Sequence, residues 1–351
     1  MTTDRVRIGF AGVGRMGQCA HLRHYCASDE CEVTAISEPR EKTARAVARR
    51  YGIGKVYGDA AEMLEKEQLD AVVASQPFTR HGVLLPELLE FGKPIFIEKP
   101  LSSTPQSGEA ILAALAESGT WIMVGYHKRS DPASVWVRER VESLRESGEL
   151  GAMKYVRVTM PPGDWIAGGF AGYIDGGDER PKLEVEPPPE DMDAKTSERY
   201  QRFVNFYIHQ VNLIRFLLGE SYEVTHADPA GVVLLGRSAG GVPVTLEMGP
   251  YRTTVDWQES CLVCFERGYL RLDLPAPLAC NRPGHAELFS DPGERPAERL
   301  SPRLPWTGAM AAQAGNFVAA VRGDCKPPCE AHEAMEDLRL AREYIRLLTG
   351  N

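Results

Sequence analysis

The chain has no run of about 18 consecutive apolar residues, the length a bilayer-crossing helix requires, so no segment reads as transmembrane. It also lacks a basic surplus: 40 Lys and Arg face 49 Asp and Glu, for a net charge of −9, and no long basic run occurs. That balance is a poor match to nucleic acid or an anionic membrane surface, and a small molecule is the expected partner. Met1 to Arg7 is charged and runs straight into an apolar strand pattern, without the apolar stretch and small-residue cleavage site of a signal peptide. A cytoplasmic location is expected. The eight cysteines are scattered, and a reducing compartment would keep them as thiols. Cys261-Leu-Val-Cys264 and Cys325-Lys-Pro-Pro-Cys329 have no His at ligand spacing. The first pair lies in a β-like run, where residues three apart face opposite sides, so small core residues are expected and no metal site. What remains is an ordinary globular composition, 43% hydrophobic and 25% charged, over 351 residues. That length supports about two domains, each with its own core.

From residue 5 to about 125, short apolar strands alternate with helical patterns at the spacing of repeated βα units. Arg7 to Ala11, Glu32 to Ser37, Ala71 to Ser75, Pro94 to Glu98 and Trp121 to Gly125 read as strands, near-continuously apolar as in a parallel sheet covered on both faces. Helices from Ala44 to Tyr51 and from Gly82 to Phe91 end at Gly52 and Gly92, and Thr104-Pro105 opens another. After a helix from Pro132 to Arg145 the pattern turns to successive strands: Lys154 to Thr159, Gly231 to Leu235, Val242 to Met248, Arg252 to Trp257, Ser260 to Phe265 and Tyr269 to Leu272. Short turns between strands predict a large, mainly antiparallel sheet. Helices are expected over Phe203 to Leu218 and Glu330 to Leu348. The expected domains are 1–125 and 126–351, the second an α+β domain. Within it, 176–198 carries Pro187-Pro188-Pro189 and clustered acids, and reads as a surface loop, either a mobile flap or a passive insertion.

Gly12-Val13-Gly14-Arg15-Met16-Gly17 follows the first strand and opens a helix. Gly12 suits the tight turn, Gly14 lets backbone approach a pyrophosphate, and Gly17 allows close helix packing. Glu38, 21 residues after Gly17, ends the second strand, where a carboxylate accepts bonds from an adenosine ribose and repels a 2′-phosphate. NAD is therefore expected, although Arg40 could accommodate the phosphate of NADP. Glu98-Lys99-Pro100 stands at the carboxyl edge of the sheet, where open α/β sheets bind ligands.

With Ser75-Gln76-Pro77 followed by His81, then Gly92-Lys93 leading into Glu98-Lys99-Pro100, and Gly125-Tyr126-His127-Lys128-Arg129, the chain resembles the Gfo/Idh/MocA oxidoreductases over nearly its whole length. The resemblance implies an N-terminal Rossmann domain that binds NAD(P), and a polyol or sugar held between cofactor and second sheet. It implies that Lys99 touches the reacting oxygen, that the Lys99-Pro100 bond is cis, and that Ser75, Pro77 and Glu98 line the nicotinamide end, with Gln76 and His81 also among the cofactor contacts. A homodimer or homotetramer built on the second sheet is implied as well. Relatives often carry Asp-x-x-x-His on a helix of the second domain. The corresponding run here is Asn205-Phe206-Tyr207-Ile208-His209, with an amide in place of the acid. Both side chains fall on one helical face, and His209 can serve as a base near neutral pH or as a structural residue. An amide can orient a hydroxyl but cannot exchange a proton. Tyr126, Arg129 and Trp165 are further substrate candidates, though packing explains them equally.

The expected activity is NAD(P)-dependent hydride transfer to or from a secondary alcohol of a sugar, inositol or sugar derivative, with Lys99 and His209 catalytic and no metal. Two alternatives remain: a glycoside hydrolase or lyase that uses NAD for transient oxidation, and a non-catalytic dinucleotide sensor.

Overall fold

A computed structural model of the chain describes residues 5–189 and 191–350. Met1 to Asp4, at the start of the N-terminal stretch read above, and Glu190, within the expected loop, lie outside the described residues. The chain divides into two units: 1–126 with 168–191 and 313–338, and 127–167 with 192–312 and 339–351. Among the described residues no helix is long and apolar enough to cross a membrane.

The first unit is built on six parallel strands: β1 (Val6–Ala11), β2 (Cys31–Ser37), β3 (Lys55–Tyr57), β4 (Ala71–Ala74), β5 (Ile95–Glu98) and β6 (Ile122–Gly125). They are ordered β3-β2-β1-β4-β5-β6, the doubly wound arrangement expected of the Rossmann reading. Ile8, Phe10, Val72, Val73, Phe96 and Ile97 are fully buried, as strands covered on both faces require. Between the strands run a wide helical turn Gly17–Leu22 continuing as α1 (Arg23–Tyr25), then α2 (Glu41–Tyr51), α3 (Ala60–Lys66), α4 (His81–Leu89) and α5 (Pro105–Ser118). Because every strand runs the same way, Ala11, Ser37, Ala74, Glu98 and Gly125 all end at one edge of the sheet.

In the second unit, α6 (Pro132–Ser147), capped by Asp131, packs on strands of an eight-stranded sheet, and so does α7 (Ala194–Leu218). The strands are β7 (Met153–Thr159), β8 (Tyr222–Ala227), β9 (Val233–Ser238), β10 (Pro243–Glu247), β11 (Ser260–Phe265), β12 (Gly268–Asp273), β13 (His285–Ser290) and β14 (Glu298–Leu300). Their order is β14-β13-β12-β11-β7-β10-β9-β8, antiparallel except for the β7–β10 pair, so the sheet is mainly antiparallel as expected.

Four local expectations need correction. Helix α7 starts at Ala194, nine residues before Phe203, because Asp193 accepts the Thr196 amide and caps it, so the irregular segment is shorter than 176–198. Arg252 to Trp257 is not a strand: Asp256 draws that stretch into a turn, receiving the Thr253 hydroxyl on its carbonyl and the Trp257 amide on its carboxylate, and Val255 is 90% exposed. Strands β8, β13 and β14 carried too little apolar alternation to be read. Helix α8 (Ala309–Arg322) was also missed, and from Gln313 onward it belongs to the first unit together with the start of α9 (Ala331–Thr349). Phe317 of α8 is buried with its ring centroid 5.7–6.3 Å from those of Tyr25, Phe96 and Trp121. The segment 168–189, without helix or strand, also belongs to the first unit.

Candidate active site

The loop after β1 turns at Gly12, whose φ of +98° favours glycine and whose missing Cβ would stand 2.4 Å from the Ser75 carbonyl oxygen. A Cβ on Gly17 would sit 2.1 Å from the Gly12 oxygen, so both positions are closed by the protein's own packing. Gly14 differs: a Cβ there would meet only Arg40 Nη2, at 3.9 Å. Its bareness serves no internal contact and leaves backbone open to a ligand. Val13 is buried, whereas Arg15 is exposed and Met16 half-buried. These residues fit a dinucleotide: a tight turn, an open glycine and a helix start aimed at the pyrophosphate position.

Glu38, at the end of β2, is buried rather than open to solvent. Its Oε2 accepts the Val13 amide at 3.0 Å, and the Arg40 guanidinium forks onto both oxygens, Nε to Oε1 at 2.8 Å and Nη2 to Oε2 at 2.9 Å. The Glu38 carboxylate holds the Arg40 guanidinium above its usual range. Ser75 and Gln76 follow β4 half-buried, with Gln76 Oε1 accepting from Arg80 Nη1 at 2.8 Å, and Pro77 is exposed.

Lys99 is half-buried just beyond β5, and the Lys99–Pro100 peptide is cis. Glu98 beside it accepts the Lys99 amide on Oε2 at 3.2 Å and is bonded through Oε1 to His21 Nε2 at 2.5 Å. Burial by itself pushes the Glu98 carboxyl up, but His21 and the adjacent Lys99 outweigh it and hold the group below the usual carboxylate range. His21, which no sequence motif singles out, thus ties the glycine-loop helix to the residue preceding Lys99. Only proximity across β1, β4 and β5 reveals this. His81, expected among the cofactor contacts, is fully buried instead. Its Nδ1 lies 3.1 Å from the carbonyls of both Pro100 and Leu101, and burial holds its pKa below the usual imidazole range. It braces the turn behind Lys99 rather than facing a ligand. Tyr126, after β6, is 2% exposed.

The first unit contains further residues that the sequence did not single out. Gln18 exchanges two bonds with the backbone of Ile174, both at 2.9 Å, and the Arg15 guanidinium lies over the Tyr173 ring at 5.5 Å. Asp178 accepts the Lys42 and Thr43 amides at 3.0 and 2.8 Å. Glu186, 7% exposed, accepts the Gly82 and Ser103 amides at 2.6 and 3.0 Å, and the Ser103 hydroxyl donates to it as well. The segment 168–189 is therefore a strap fastened at several points.

In the second unit, Asn205 is exposed on α7, with His209 half-buried one turn later on the same face. The ring of His127 meets that of His209 edge-on, with centroids 4.4 Å apart. Trp165 is half-buried. Arg129 turns inward: it is 6% exposed, donates from Nε to Asn212 Oδ1 at 2.8 Å and lies over Phe216. Lys128 is buried too, paired with Glu259 at 2.6 Å, and Gln210 Nε2 donates to the other Glu259 oxygen at 2.7 Å.

Residues 6–126 match the GFO_IDH_MocA family model, described as an oxidoreductase family of NAD-binding Rossmann fold. Over 177 residues, 49% of this chain, the sequence is 30% identical to scyllo-inositol 2-dehydrogenase (NAD(+)) of Bacillus subtilis (strain 168), spanning 50% of that protein. Over 242 residues, 67% of this chain, it is 26% identical to inositol 2-dehydrogenase of Rhizobium meliloti (strain 1021), spanning 61% of it. The chain thus matches between half and two thirds of the length of these relatives. Among solved structures, the WlbA dehydrogenase of Bordetella pertussis, crystallised with NADH and UDP-GlcNAcA, superposes with a TM-score of 0.69 at 19% identity, covering 100% of this chain and 97% of that one. That likeness concerns the fold. The glycine loop, the strand order and the Glu98-Lys99-Pro100 edge all lie within residues 6–126, the stretch that matches the model of the Gfo/Idh/MocA oxidoreductases.

Proposed function

We propose that the protein is an NAD-dependent dehydrogenase acting on a secondary alcohol of an inositol, sugar or sugar derivative. The observation that carries this reading is Lys99 at the carboxyl edge of β5, with its neighbour Glu98 fastened through His21 to the helix that the glycine loop opens. A cation held at that edge suits an oxygen that gains negative charge as its carbon loses hydride. Gly12, Val13, Gly14, Arg15, Met16 and Gly17 would cradle the dinucleotide, Glu38 and Arg40 would border its adenosine ribose, and Ser75, Gln76, Pro77 and Glu98 its nicotinamide end. The bound cofactor supplies the hydride acceptor or donor.

In the oxidative direction His209 takes the hydroxyl proton, Lys99 holds the developing alkoxide, and Asn205 orients a neighbouring hydroxyl by its amide. Trp165 offers an apolar face to the ring carbons. Tyr126 and Arg129 are both buried, and Arg129 is engaged by Asn212 and Phe216. The relatives' printed activities on inositols support the substrate class.

The test is turnover on a panel of polyols and sugars with NAD. Lys99→Ala is expected to lower kcat by about 10²–10³-fold with cofactor affinity retained, and His209→Ala to slow turnover and remove the acidic limb of the pH–rate profile. Near-normal turnover of Lys99→Ala overturns the mechanism. Bond cleavage without net NADH would favour a transient-oxidation hydrolase or lyase, and binding without turnover a sensor.

A further inference from the structure

Helix α2 begins beside Glu38, where the adenosine ribose of a dinucleotide rests in this fold class. Its own N-terminal residue, Arg40, makes no side-chain cap, so the amides of its first turn need acceptors from elsewhere. They find them more than 130 residues away in sequence. Asp178 Oδ1 accepts the Lys42 amide at 3.0 Å, and Oδ2 accepts the Thr43 amide at 2.8 Å and the Thr43 hydroxyl at 2.9 Å. The Gly176 amide in turn donates to Thr43 Oγ1 at 3.0 Å. Four residues before Asp178, Ile174 is locked to Gln18 on the glycine-loop helix. The strap is therefore pinned on the glycine-loop helix at Ile174 and on α2 at Asp178.

An anion-seeking helix start next to an arginine at the end of β2 is the arrangement that accommodates the 2′-phosphate of NADP. Here both attractions are already satisfied from within. The Arg40 guanidinium is forked onto Glu38, and the α2 amides are taken by Asp178. The hydrogen bonds that Asp178 receives more than offset its desolvation and keep its carboxyl below the usual range, so it carries full charge at neutral pH. We infer that Asp178 is a specificity-determining residue that excludes NADP: a carboxylate of the strap occupies the donors that a 2′-phosphate would use, and adds its negative charge to that of Glu38. NAD, which has only hydroxyls at that ribose, meets no such conflict.

This inference rests on the dinucleotide reading above, and the two fail differently. Equilibrium dissociation constants for NAD and NADP, measured by calorimetry on the full chain without substrate, supply the readout, with adenosine 2′,5′-bisphosphate against AMP as fragment probes. The wild type is expected to favour NAD. Asp178→Ala is expected to lower the ratio of the NADP to the NAD dissociation constant by about tenfold or more. Asp178→Asn keeps the shape without the charge, so it folds as the wild type does and is expected to lower the ratio by a smaller factor. The same order should hold for the fragments. An unchanged ratio in both variants overturns the role of Asp178, even though the wild type binds NAD. A wild type that binds NADP as tightly as NAD overturns it too. A wild type that binds neither dinucleotide overturns the cofactor reading and this inference with it.

Discussion

The two units differ in where their buried charge finds its partners. In the first, three carboxylates take backbone amides: Glu38 that of Val13, beside the Arg40 guanidinium, Asp178 those of Lys42 and Thr43, and Glu186 those of Gly82 and Ser103. In the second, Asp131 likewise takes the Ala133 and Gly284 amides, but Glu259 is enclosed by the Lys128 and Gln210 side chains, and the Arg129 guanidinium by Asn212 and Phe216. The difference follows from architecture. A parallel sheet with crossover helices gathers strand ends and helix starts at one edge, and helix starts present amides with no partner inside the helix. Away from a helix start, as at Glu259, a buried carboxylate pairs with side chains instead. A surface of open amides is one on which a pyrophosphate can also bind, whereas an enclosed ion pair is scaffold.

If that contrast is real, truncating the two carboxylates must differ in cost. Glu259→Ala strands the Lys128 ammonium in a dry interior and is expected to destabilise the second unit by about 3–5 kcal/mol. Glu186→Ala strands neutral amides at the edge of the first unit and is expected to cost about 1–3 kcal/mol. Urea unfolding followed separately in each unit measures both, and the double change Lys128→Met with Glu259→Leu should recover most of the loss. Equal costs would break the comparison.

The glycine loop sharpens it within the first unit. Gly17→Ala drives a methyl into the Gly12 carbonyl and is expected to cost about 1–3 kcal/mol in stability. Gly14→Ala meets open space, so its thermal midpoint should stay near the wild-type value while the NAD dissociation constant rises by about tenfold. A destabilised Gly14→Ala protein with unchanged NAD affinity would show that Gly14 serves the fold and not the ligand.

The smallest expected effect is an opposition in pH dependence. Glu98 titrates below its usual range in the folded first unit, so its contribution is present above the unfolded value of about 4.3 and is lost as pH falls through the lower folded value. Asp131 of the second unit is pushed up, burial outweighing the amides it accepts from Ala133 and Gly284. The folded form then holds its proton more tightly, and the second unit loses stability as pH rises from about 3.9 through the raised value. Unfolding midpoints of wild type, Glu98→Gln and Asp131→Asn between pH 3 and 6 read the two slopes. Slopes of the same sign in both units would contradict the assignment.

Much of this molecule follows from local pattern. Apolar runs at βα spacing, glycines at 12, 14 and 17, and an acid 21 residues later determine a doubly wound α/β unit, because strand burial and tight turns are decided by residues adjacent in sequence. Asn205 and His209 were legible for the same reason, since helical spacing alone sets their common face. Other features had no local signal. Asp178 is one acid among several in a proline-rich loop until the chain lays it on α2, and His21 belongs to no motif until β5 places Glu98 against it. Phe317 read as an ordinary apolar residue, yet it fills the first unit's core among Tyr25, Phe96 and Trp121. His81 and Arg129 carried the chemistry of ligand contacts, and packing turned both inward. Sequence determined which side chains could do chemistry and on which element each would stand. Tertiary structure decided which are enclosed and which open, because a buried donor or charge takes whatever partner the fold brings within about 3 Å, however distant in the chain.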